Sequence, residues 1–188
     1  MKYRAVIIGL ITAIGASIAG FSFGPMGAHD WAGFFFVVWA LSLFTASALL
    51  AVQAMRMQND LAAIGFTAVA LYAMDTTLNS SLLARGLLDV SVGIQPGIWA
   101  MLALGLVLLG ISNRFGAWTR GVGLFAAIAH TIAAVTVLFG AEMPHTGAAP
   151  SDWAPLVVAV GKLLLWATMF GWILVIRRES RSLDLSSS

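Results

Sequence analysis

Two ionisable side chains stand deep inside apolar sequence. The chain holds ten Lys/Arg and eight Asp/Glu residues, and of these only Asp75 and Lys162 lie well within long apolar runs. An ionised group at the centre of a bilayer costs about 2.5–3.5 kcal/mol on insertion scales, so each needs a reason to be there. Tyr72, Asp75 and Asn79 fall on one helical face, with Thr76 beside them, which makes this the most polar stretch of the apolar sequence. Trp166 and Met169 follow Lys162 by four and seven residues and could wall a pocket below it. These residues suit a small polar site or a proton-coupling pair. They equally suit a structural pin between two helices, and Lys162 alone could extend its stem to the headgroups.

His130 is the third group that could do chemistry inside an apolar run. Ala126, Ala127, Ala129, Ala133 and Ala134 surround it, and small neighbours leave room for a flat macrocycle to approach an imidazole, the usual axial ligand of haem. Over five residues, the Ala126-x-x-x-His130 spacing resembles the pigment-binding helix of bacterial light-harvesting proteins. A proton relay, or a neutral histidine bonded to backbone, fits the same position. Outside the apolar runs, His29, Glu142 and His145 are a candidate metal set with Asp30 and Asp152 nearby, though no pair has the i, i+4 spacing of helical ligands. The sequence requires no cofactor. It has no cysteine, which removes thiolate catalysis and Cys-ligated metals, and no nucleophile elbow, P-loop, zincin or dinucleotide motif.

The elements that position these groups follow from composition. The 188 residues are 60% hydrophobic and 10% charged, against about 45–50% and about 25% in soluble domains. With a mean hydropathy of +0.94, the expected fold is an all-α, polytopic membrane protein, a bundle of six transmembrane helices in a single domain. The runs are 5–23, 31–55, 61–83, 96–112, 122–139 and 155–176, followed by a short solvated tail over 180–188. The net charge of +2 comes from scattered Arg and Lys at run ends rather than a basic stripe, so nucleic acid is not an expected partner.

Lys2, Arg4, Arg56, Arg114, Arg120, Arg177, Arg178 and Arg181 fall on one side of this topology, and Arg85 on the other. The positive-inside rule then puts both termini in the cytoplasm, in a cell membrane, as in a bacterial inner membrane. By helical rise, Asp75 lies about 21 Å above the cytoplasmic edge and Lys162 about 10 Å below the outer one. In a core of about 30 Å those levels coincide, and an Asp75–Lys162 ion pair is expected to be geometrically allowed. A cleaved leader over residues 1–19 is a competing reading, from the basic start and Ser17-Ile18-Ala19. The Gly9/Ala13/Ser17 face suits close helix packing, either within the chain or against a partner subunit or second copy.

Three functions are compatible with this. The first is a small transport protein or channel with a polar site in the outer half around Asp75, His130 and Lys162. The second is a non-catalytic subunit or assembly factor of a membrane complex, holding a pigment, haem, quinone or lipid. The third is a cofactor-free intramembrane enzyme with Asp75 or His130 as acid or base.

Overall fold

The six apolar runs fold as six helices: α1 (Arg4–Phe23), α2 (His29–Arg56), α3 (Asp60–Ala84), α4 (Ile94–Ile111), α5 (Ala117–Leu138) and α6 (Ala154–Leu185). The computed structural model describes residues 3–23, 26, 29–84, 94–112, 114–138 and 154–185. Among the described residues, four segments, Arg4–Phe23, Trp31–Arg56, Ala117–Val135 and Ala159–Ser180, are long and apolar enough to cross a membrane, and Gly97–Ile111 is a shorter apolar helix. The described residues are therefore all-helical in their regular structure, with the character of a membrane protein.

Helix ends show why the chain breaks where it does. After α2 the chain closes a Schellman turn, in which Asn59 N–H donates to Ala54 O and Gln58 N–H to Met55 O, both at 3.0 Å. Gln58 takes the left-handed position with φ 54°. Asn59 then caps α3, its Oδ1 accepting from Ala62 N–H at 3.0 Å, with Asp60 at the positive end of the helix dipole. So tight a turn forces α2 and α3 antiparallel. Asn59 Nδ2 also donates to Ser112 O at 3.3 Å, which brings the end of α4 to the same end of the bundle.

Each helix packs on the next in sequence, and α1 touches α6, so the six close into a ring. At the α3–α4 crossing the backbones nearly meet. A Cβ on Gly105 would lie 2.9 Å from Gly65 O, and one on Gly65 would lie 3.0 Å from Gly105 O. The Gly9/Ala13/Ser17 face of α1 is used inside the chain. Gly9 faces Ala46 on α2, Ala13 is fully buried, and Ser17 accepts from Trp166 Nε1 on α6 at 3.1 Å.

Two helices depart from the sequence expectation. α5 begins at Ala117 rather than 122, because Arg120 serves the neighbouring helix: its Nε donates to Gly110 O at 2.7 Å, satisfying a carbonyl at the end of α4. α6 runs through the arginine-rich stretch to Leu185, where a tail was expected from 180. Arg and Glu are good helix formers, and Glu179 has a partner to hold, Arg114 Nη2 at 3.6 Å.

That ion pair belongs to a polar seal at the bundle end that carries Tyr3. The phenol accepts from Gln53 Nε2 at 2.5 Å and donates to Glu179 at 3.4 Å, while Arg114 Nη1 reaches Met57 Sδ at 3.0 Å. Above the seal, Phe66, Phe115 and Trp172 fill the centre of the ring, with centroids 5.2–6.0 Å apart. Beside this plug, between Thr119, Arg120, Thr168 and Trp172, is a gap of about 10 Å³, room for roughly one water.

Candidate functional site

Lys162 stands about two turns into α6, and its side chain points into the ring. The residue is 8% exposed, so it does not extend to the surface. Nζ donates to Tyr72 Oη at 2.9 Å across the centre. Three rings bear on the same ammonium: Trp39 from α2 with its centroid at 4.3 Å, Trp99 from α4 at 5.3 Å and Tyr72 from α3 at 5.6 Å. The electron-rich face of an aromatic ring attracts a cation, by about 2 kcal/mol or more where water is excluded. Such a cage answers the question that the sequence raised about Lys162, since it compensates a buried charge without taking it to water.

The rings also hold one another. Trp39 meets Tyr72 edge-on at 6.0 Å, and Tyr72 lies 6.5 Å from Trp99. On α5, His130 stacks on Trp99 at 5.1 Å with an interplanar angle of 27°. Its Nδ1 lies 2.7 Å from Ala126 O. A carbonyl can only accept, so Nδ1 carries the proton and Nε2 of the neutral ring keeps its lone pair. Nε2 is buried and has no hydrogen-bond partner among the described residues, and the same is true of Trp39 Nε1.

The small residues around His130 serve helix packing. Ala126, Ala127, Ala133 and Ala134 are all buried. A Cβ on Gly161 would sit 3.2 Å from His130 Cε1 and 3.5 Å from Ala129 Cβ, so α6 passes directly over the imidazole. That close approach is what lets the next residue, Lys162, start from beside the histidine and reach the cage.

The structure thus brings Lys162, Tyr72 and His130 into one cluster. Asp75 lies one turn beyond Tyr72 on α3 and is half-buried. The side chain of Asn79 lies outside the described residues, as do those of the metal candidates His29, Glu142 and His145. Trp166 bonds to Ser17 and Met169 is fully buried in the core. Sequence reasoning missed Trp39 and Trp99. The signal for Trp39 was depth, because tryptophan favours headgroup level and Trp39 lies two turns past Trp31 inside the α2 run, whereas Trp99, near the start of its run, gave no such signal. Sequence reasoning likewise missed the seal, where Arg114 counted only as a topology charge.

No protein-family model, curated protein or solved structure matches this chain. Its function has to be read from the cage itself.

Proposed function

We propose that this chain is a small multi-pass transport protein of the cell membrane, with Lys162 at the centre of its solute or proton path. In this reading all six helices span a bacterial inner membrane and both termini face the cytoplasm. The cage lies in the outer half and the Tyr3–Glu179–Arg114 seal at the inner end. One observation carries the proposal: a lysine ammonium held in the middle of the ring by a hydroxyl and three aromatic faces. A mere pin between helices would be served as well by an apolar contact, whereas buried ionisable groups in membrane bundles are costly and mark pathways. Tyr72, Asp75 and His130 supply further groups at or next to the cage, and the aromatic plug with the seal below closes the inner route.

The enclosed packing of His130 argues against a tetrapyrrole-holding subunit, because a macrocycle would have to displace Trp99 or part α6 from α5 at Gly161. The test is flux in proteoliposomes. Lys162→Met and Asp75→Asn are expected to abolish proton movement while the protein stays folded by circular dichroism and gel filtration. Loss of folding with full flux in any surviving protein is the opposite result and marks a structural role. Topology has its own check, since the native chain has no cysteine. A single cysteine at Ser186 is expected to be labelled by a membrane-impermeant maleimide only after cells are opened, and one at Gly147 in intact spheroplasts.

A further inference from the structure

We propose that the Trp39/Tyr72/Trp99 cage is a binding site for an organic ammonium cation, and that this cation enters in exchange for the proton of Lys162. The inference rests on the transport reading above and names its substrate class. A trio of aromatic faces around a positive nitrogen is the chemistry by which proteins recognise alkylammonium ligands. Here the nitrogen is the protein's own, 4.3 Å from the Trp39 centroid, 5.3 Å from Trp99 and 5.6 Å from Tyr72. Lys162 is therefore a tethered occupant of the site that a free cation would take. An anion is repelled by the same three faces.

Two cations do not share a cage that excludes water, because like charges at short range disfavour each other's charged form. Entry of an ammonium ion therefore requires Lys162 to leave the cage neutral. Its Nζ–H bond breaks, the proton forms a new bond to the oxygen of a solvent water, and charge balances at one proton out for one cation in. The groups that titrate or carry charge around this exchange are Lys162 on α6, Tyr72 and Asp75 on α3 and His130 on α5. α2 and α4 contribute Trp39 and Trp99, and α1 contributes Ser17 through Trp166.

Tetramethylammonium is the probe, since unlike methylamine it cannot cross a bilayer as a neutral base. Proteoliposomes with a trapped pH dye receive an inward tetramethylammonium gradient, and labelled tetramethylammonium uptake is followed in parallel. The wild-type lumen is expected to turn alkaline, with the rate falling at least tenfold in Trp39→Leu and Trp99→Leu. Lys162→Met, with no proton to give, takes up the cation without moving the pH. Lys162→Arg keeps a permanent cation in the cage and shows neither uptake nor pH change. A structural role would instead make the two Lys162 variants fail together, in proportion to lost stability. A wild type that ignores tetramethylammonium but conducts protons, through Lys162, under a valinomycin potential overturns the exchange and leaves the transport reading standing. A wild type with no Lys162-dependent flux overturns both.

Discussion

Tyr72 and Lys162 should be energetically coupled to a degree that a double-mutant cycle can read directly. The two residues are 2% and 8% exposed, and their 2.9 Å contact crosses the ring between helices that otherwise lack close backbone contact. Tyr72→Phe removes an oxygen acceptor from a buried ammonium, and hydrogen bonds to charged groups are worth about 1.5–3 kcal/mol. Lys162→Met leaves a buried hydroxyl without its donor, at about 1–3 kcal/mol, and forfeits the ring–cation attraction while relieving the desolvation of a charge. The double variant removes both orphaned groups at once. Its destabilisation should fall short of the sum of the singles by about 1.5–3 kcal/mol. Detergent-purified protein titrated with SDS and followed by tryptophan fluorescence gives all four stabilities. Additivity within about 0.5 kcal/mol, the figure for independent sites, would refute the hydrogen bond across the ring.

Three further outcomes follow from local geometry. Gly105→Ala places a methyl group 2.9 Å from a backbone oxygen that cannot rotate away, so it should destabilise by about 1–3 kcal/mol in the same titration. Gln58→Gly relieves the cost of a left-handed residue at φ 54° and should stabilise by up to about 1 kcal/mol, read as a rise in Tm. Burial first, and the Glu179 carboxylate next, push the Tyr3 phenol above its ordinary 10.0. A raised value in the folded state means that the seal's contribution is intact below pH 10 and is lost as pH climbs through the folded value. Spectrophotometric titration should show a late-ionising tyrosine that ionises earlier in Glu179→Gln.

Much of this was legible in the sequence, and the reason differs from residue to residue. The six helices were, because runs of apolar residues and their interruptions report directly on what lipid tolerates. Lys162, Tyr72 and His130 stood out for the same reason: a polar group is conspicuous where nearly everything else is apolar. The partner of Lys162 was a different matter. Depth arithmetic puts Asp75 and Tyr72 within one turn of each other, and the choice of Tyr72 as the oxygen that Nζ reaches depends on how α3 is rotated in the ring. That rotation is set by the Gly65–Gly105 crossing, a contact between two helices that no single-helix periodicity encodes. Trp39 and Trp99 were hidden more thoroughly, since a tryptophan in an apolar run adds to the run instead of breaking it. The seal was hidden by the opposite habit, in which charges at helix ends are expected and so attract no further question.

The ring is closed by its thinnest interface, where α1 meets α6 through the Trp166–Ser17 hydrogen bond and an edge contact of Phe21 on Trp166 at 6.1 Å. The other interfaces with close backbone contact join consecutive helices, while side chains such as Phe66 and Trp172 meet across the centre. A chain built this way can pair each helix with the one before it as it leaves the ribosome, with little loop to close at each step, so contact order stays low until the end. Lys162 rides on the helix that arrives last. Until then Trp39, Tyr72 and Trp99 have no cation to surround, and the cage forms in the same event that shuts the ring.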